Sequence, residues 1–296
     1  MIVILTALEI EYAAVREHVA NCRLHEHHKG TLFEVGELRA RPEQQVALAS
    51  LGMGNTNAGV LTERAINEFR PSALLFAGVA GGLRDWLKLG DVVVASHVYA
   101  YHGGKSQDDG FRARPRSWDT PHRISQTAKH ISRGPDWRRS LPADGESANV
   151  HFGPIAAGDV VLNSRTSPLA RQLDERYNDA IAVEMEGAGV ALAGHLNEGT
   201  QTVTVRSISD PADGTKETTD AAGSQTLAAR NAAAFAIALT ARLDDRGDDD
   251  ASRRDGPARP SPFSAPVLMD NARAVQVTGT HYGSSHFGTA FFGGDS

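Results

Sequence analysis

The sequence predicts an α/β protein, a three-layer αβα sandwich with a mainly parallel mixed central sheet. Short apolar runs alternate with stretches of helical composition along most of the chain. Several runs are almost continuously apolar, as strands covered on both faces must be. The chain has 296 residues, 41% hydrophobic and 22% charged, enough for one large domain and an appendage.

Ile2 to Ala7 reads as a buried strand, and Glu9 to Val19 as the helix after it. Cys22 to Lys29 is polar and reads as a solvated loop. Thr31 to Val35 and Val46 to Ser50 are strands of a meander. Gly52-Met53-Gly54-Asn55 turns tightly into a helix from Thr56 to Phe69, whose stop is marked by Pro71. Ser72 to Ala77 and the longer Asp91 to Tyr101 are strands. Pro115 to Asp144 is polar and rich in Arg and His. Within it, Arg123 to Ile131 and Pro135 to Leu141 read as short helices, the second with proline in its first turn. Val150 to Ala157, Ala180 to Val183 and Thr202 to Ile208 are further strands. Met185 to Leu196 and the Ala-rich Asp220 to Leu243 are helices.

Composition changes after Leu243. Three regions follow from this: a catalytic-type domain over 1–243, a charged and Pro-rich linker over 244–270, and a Gly-rich tail over 271–296. The tail is too short for a core of its own. A single cysteine, Cys22, excludes an internal disulfide and cysteine-based metal clusters. No apolar run approaches membrane-span length, and the N-terminus opens on a strand rather than a signal peptide. Residence in the cytoplasm, with no membrane partner, is the expectation. The formal charge of −6 argues against a nucleic-acid partner.

Two segments carry the chemistry. Ala182-Val183-Glu184-Met185-Glu186-Gly187 and Val205-Arg206-Ser207-Ile208-Ser209-Asp210 are apolar runs that end in carboxylates. Such groups are costly at buried strand ends unless they bind something. Strand ends are also where ligands sit in open α/β sheets.

These segments resemble the signature stretches of the nucleoside phosphorylase and nucleosidase superfamily, in particular methylthioadenosine/S-adenosylhomocysteine nucleosidases. Leu8-Glu9-Ile10-Glu11, Gly78-Val79-Ala80-Gly81-Gly82-Leu83 and Gly90-Asp91-Val92-Val93-Val94 fit in the same order. The resemblance spans Met1 to about Leu243 and implies a nucleoside phosphorylase-like fold. It implies an N-glycosidase acting on a purine, chiefly adenine, nucleoside or nucleotide. Asp210 would be the general acid that protonates N7 of the base; on the residues alone it also reads as a turn-capping Asp before Pro211. Glu11 would activate the attacking water, with a helix-start acid as the plain alternative. Glu186 would accept both ribose hydroxyls. Met185 would pack on the sugar or simply in the core. Glu184 would stand near the pocket or in a structural ion pair, and Arg206 reads as a structural counter-charge to Glu184 or Glu186.

Gly78 to Gly82, with Val79 and Gly81, would form a backbone turn close to the ligand. Val79 replaces the serine frequent in the family, which favours hydrolysis over phosphorolysis. Val161 and Leu162, in Ala157 to Leu162, would face the purine edge or belong to the core; Val161 replaces a stacking Phe. Tyr101 to Lys105, with Arg112, Arg114 and Arg116, resembles a branch of effectors from bacterial antiviral systems. Lys105 and Arg112 would suit a 5′-phosphate, or line a solvated loop, and Lys216 is a second cation for such a group. The tail, around Ala274 to Gly279 and Phe291-Phe292, resembles amyloid-type signalling motifs that recruit a partner, or is disordered. A homo-oligomer is expected; no cofactor and no metal are. The His25-Glu26-His27-His28 cluster reads as part of the solvated loop. A phosphorylase and a non-catalytic nucleotide-sensing module remain the alternatives.

Overall fold

The structure, a computed structural model, describes residues 1–108, 110–141, 147–198 and 200–243. The expected linker and tail lie outside the described residues.

The first half of the chain forms β1 (Ile2–Thr6), α1 (Glu9–Arg16), β2 (Val19–Glu26), β3 (Leu32–Leu38), β4 (Arg41–Ser50), α2 (Asn55–Phe69), β5 (Ala73–Gly82) and β6 (Val92–Ala100). A short ribbon follows, β7 (Gly104–Gln107) and β8 (Gly110–Ala113), then β9 (Arg116–Asp119) and α3 (His122–Arg133). The remainder is β10 (Val150–Ala157), α4 (Pro168–Arg176), β11 (Ala182–Glu184), α5 (Gly187–Leu196), β12 (Gln201–Asp210), α6 (Lys216–Ala221) and α7 (Ser224–Arg242).

One mixed sheet runs in the order β11-β10-β6-β12-β5-β1-β4-β3-β2, with β9 on β6. Parallel ladders join β4, β1, β5 and β12, and again β6, β10 and β11. The meander β2-β3-β4 is antiparallel. β11 also pairs antiparallel with the end of β5, through Ala182 with Gly82 and Val183 with Gly81. That ladder closes β5, β12, β6, β10 and β11 on themselves and draws their ends together.

The layers follow from strand alternation. Ile2 and Ile4 of β1 pack with Leu75, Val203, Val205 and the α7 residues Ala233 and Phe235. Val3 and Leu5 point the other way, against Phe76 and the α2 residues Ala58, Ala65 and Ile66. Ala-rich α7 is apolar on most sides because it lies buried along β12 and β5.

Three expectations change. The first helix ends at Arg16, and Val19–Glu26, expected as helix end and loop, is the edge strand β2. One face of that strand meets solvent, so its polar residues disguise it. The glycine turn expected at Gly78 to Gly82 is the regular end of β5, paired with β12. None of its glycines has positive φ. The helix expected over Asp220 to Leu243 is two helices, broken where Gly223 takes φ 87°.

Candidate active site

β1, β5 and β12 run out at one end of the sheet, where the antiparallel β11 crosses the end of β5, and together they border a cavity of about 240 Å³. Glu11, Glu184, Glu186 and Asp210 all line it, among apolar walls that include Val79, Val161, Leu162 and Met185.

Glu11 sits in the first turn of α1, just after β1, and is buried. Its Oε2 accepts the N–H groups of Ala7 at 2.8 Å and Leu8 at 2.9 Å, and its Oε1 accepts that of Val79 at 2.7 Å. A carboxylate offers about four acceptor positions. Three are filled by backbone, which leaves room for one more donor from the cavity.

Arg206, in the middle of β12, is fully buried. Its Nη2 bonds Glu184 and lies 3.5 Å from Glu186 Oε2, and its Nη1 lies 3.6 Å from Glu11 Oε1. The guanidinium stacks on Phe76, 3.9 Å from the ring centroid. Burial opposes its charge, but the three glutamates hold it ionised, above its ordinary range. One buried cation thus binds three acids from β11, the α5 start and α1.

Glu184 ends β11 and turns back on the backbone: it accepts the N–H groups of Glu186 at 3.1 Å and Gly187 at 2.9 Å. Glu186 caps α5 and accepts the Gly54 N–H at 3.0 Å. Burial, then the neighbouring Glu184, pushes its carboxyl up to about 7, against the pull of Arg206. It therefore changes charge near neutral pH.

Asp210 is the last residue of β12. Its Oδ1 accepts the Ala212 N–H at 3.0 Å; its Oδ2 accepts Ser209 Oγ at 2.9 Å and Lys216 Nζ at 3.1 Å. A cation therefore stands against Oδ2. Lys216 also reaches Asp220 at 3.3 Å.

A family model for the phosphorylase superfamily matches residues 1–242. The chain belongs to the phosphorylase superfamily. It is 32% identical over 202 residues to a 5′-methylthioadenosine/S-adenosylhomocysteine nucleosidase of Exiguobacterium sp., covering 68% of this chain and 82% of that one. It is 27% identical over 194 residues to the ATP nucleosidase Cap17 of Escherichia coli, covering 60% of this chain but 38% of that one. Among solved structures, it resembles the Neisseria meningitidis 5′-methylthioadenosine/S-adenosylhomocysteine nucleosidase in complex with methylthio-immucillin-A. The TM-score is 0.68 at 26% identity, over 82% of this chain and 99% of that one.

In this superfamily member most of the expected site residues meet. Asp210, Glu11, Glu186, Glu184, Met185, Val79, Gly81, Val161 and Leu162 line one cavity. Val161 is 54% exposed at the rim while Leu162 is buried. Lys105 and Arg112 do not join them. They face each other across the β7–β8 ribbon, which among the described residues pairs only with itself and does not line the cavity. Lys216 lines the cavity, but its ammonium is engaged by the two aspartates.

Sequence reading missed Ser209, Gly54 and Arg165. Ser209 was hidden as a strand residue. Arg165 donates to the carbonyls of Pro211, Leu83 and Gly82, each at 2.8 Å, and so bolts the Asp210 turn to the end of β5. No local pattern marks it. Away from the cavity, His27, His28 and Glu68 bring one ligand atom each within 4.8 Å of one another. His27 Nδ1 already accepts the Lys29 N–H at 3.1 Å, which leaves the ring proton on the nitrogen a metal would need. Among the described residues no helix is long and apolar enough to cross a membrane.

Proposed function

We propose that this chain hydrolyses the base–sugar bond of a purine nucleoside or nucleotide, with adenine as the base. The observation that carries the reading is the convergence of Glu11, Glu186 and Asp210, from three separate segments, on one cavity. Asp210 protonates N7, so the base departs neutral and positive charge collects on the sugar. Glu11 orients a water on its remaining acceptor position and takes its proton as the oxygen bonds C1′. Glu186, as a carboxylate, accepts the two ribose hydroxyls. Val160, Val161 and Leu162 offer the base an apolar rim.

Hydrolysis is favoured over phosphorolysis by charge. Among the described lining residues Lys216 is the sole cation, and two carboxylates already hold it. Phosphate would enter a cavity lined by four acids. The test is base release without added phosphate, read by mass over a panel of nucleosides and nucleotides. Free adenine from the unaltered protein and none from Asp210→Asn is the expected result. Release that requires phosphate supports the phosphorylase; no release from any substrate supports the non-catalytic sensor.

Three further parts belong to this proposal. The catalytic domain closes at about Leu243, and the linker and tail carry a partner-recruiting role in the cytoplasm. A homo-oligomer is supported by exposed apolar residues beside the cavity, Met53 at 63% and Val160 at 47%. Lys105 and Arg112 remain the proposed contacts of a 5′-phosphate, reached from a neighbouring copy. Competition between ATP and methylthioadenosine tests that point, and light scattering tests the assembly.

A further inference from the structure

We propose that Lys216 stores the proton that Asp210 delivers to the departing purine. The inference rests on Asp210 as the acid of the reaction proposed above.

A carboxyl group in ordinary surroundings has lost its proton at neutral pH. An acid escapes this when apolar walls or a second carboxylate keep it neutral. The hydrogen-bond partners of Asp210 are all donors, Ser209 Oγ at 2.9 Å and Lys216 Nζ at 3.1 Å on Oδ2 and the Ala212 N–H at 3.0 Å on Oδ1. Of these three donors the ammonium gives up a proton most readily.

Access points the same way. The Asp210 side chain is 4% exposed and that of Lys216 is 25% exposed. Lys216 is thus the more solvent-accessible member of the pair. Lys216 begins α6, and Asp220, one turn on, holds its ammonium at 3.3 Å against the cavity. The charged groups acting on Lys216 among the described residues are Asp210, from β12, and Asp220, from α6 itself. Burial opposes the charge on Lys216, but these two aspartates hold it above the usual lysine range. The store is therefore full at neutral pH.

The step balances as follows. Lys216 Nζ gives a proton to Asp210 Oδ2, leaving a neutral amine and a neutral acid. As C1′–N9 breaks, the base keeps the bonding pair and its ring becomes strongly basic. The Oδ2 proton then passes to N7. Water bonds C1′ and loses its proton to Glu11. Asp210 is left as carboxylate and Lys216 as amine, which takes a new proton from solvent while Glu11 releases one. The sum is water plus nucleoside giving base plus sugar.

The test is kcat/KM for base release from about pH 5 to about pH 10 in the full chain, with Lys216→Met, Lys216→Arg and Asp210→Asn alongside. The unaltered protein should stay level to about pH 10. In Lys216→Met the alkaline limb should move down by about two pH units or more, with activity recovering toward acid pH. Lys216→Arg keeps the charge and the ion pair, so it covers a folding failure of the Met variant. Its guanidinium yields no proton, so kcat at neutral pH should fall about tenfold or more at unchanged KM. Full rescue by arginine, or a Lys216→Met profile that superimposes on the parent, overturns the inference while Asp210→Asn is inactive. An active Asp210→Asn overturns the reading of Asp210 itself and the store with it.

Discussion

Glu11 Oε1 accepts the Val79 N–H at 2.7 Å, so an acid from the first helix is fastened to the end of β5. The contact exists because residue 78 has no side chain. A Cβ on Gly78 would strike Arg206 Nη1 and the Glu11 carboxylate.

Gly78→Ala should therefore disable the site although Gly78 lies in a regular strand. Displacing a reacting group by about 1 Å costs about a hundredfold in rate. Base-release kinetics should show that fall in kcat, with the circular dichroism of the sheet retained. Parental kinetics in this variant would mean that Glu11 tolerates displacement.

Arg206→Met should cost stability. It keeps the contact with Phe76 but leaves Glu11, Glu184 and Glu186 without their shared cation. Removing one partner of a buried ionic cluster costs about 3–5 kcal/mol. Urea unfolding at pH 7 reads the loss, which should shrink toward pH 5 as Glu186, raised to about 7, takes up its proton. Equal stability at pH 7 would show that the cluster is not electrostatically coupled.

Glu186 gives a pH dependence with a defined sign. Its carboxyl, ordinarily at 4.5, is pushed up to about 7 in the fold. The folded state thus holds a proton that the unfolded chain has released. The associated stability is full below the ordinary carboxyl range and is lost as pH rises through about 7. That shift corresponds to about 3 kcal/mol. Glu186→Gln, neutral at every pH, should melt above the parent at pH 8 while its KM rises through loss of the ribose acceptor. A melting temperature equal to or below the parent at pH 8 would contradict the account.

Asp91 has the opposite sign. Burial opposes its charge, but His151 at 2.9 Å and the N–H groups of Asn149 and Lys88 hold its carboxyl below the usual range. Its contribution is present above the ordinary carboxyl range and lost as pH falls through the lowered value. Asp91→Asn should lose about 1–3 kcal/mol at pH 7 and much less in acid, by denaturant unfolding. Asp91 does not line the cavity, so the kinetics should be unchanged.

Legibility varied with how local the cause was. β1 was readable because burial on both faces makes a strand almost continuously apolar. Glu184, Glu186 and Asp210 stood out because a charged residue at the end of a buried strand is expensive without a purpose, whereas Glu11 stood out through the family resemblance. β2 was not readable, because an edge strand with one wet face carries the composition of a loop. The Gly78–Gly82 stretch misled for another reason. Its glycines answer to the bulk of Arg206, Glu11, Asp210 and Ile208 across the sheet, not to their own torsions.

The sequence by itself determined the layered fold and marked Glu184, Glu186 and Asp210, since alternation and strand-end charge are properties of neighbouring residues. Only the tertiary structure decided that Arg206 ties Glu11, Glu184 and Glu186 together and that Lys216 rests on Asp210. It also decided that Arg165 braces the turn behind that acid and that Lys105 and Arg112 stand apart. Charge pairing depends on distances of a few ångströms between side chains far apart in the chain, and no local pattern of residues encodes them.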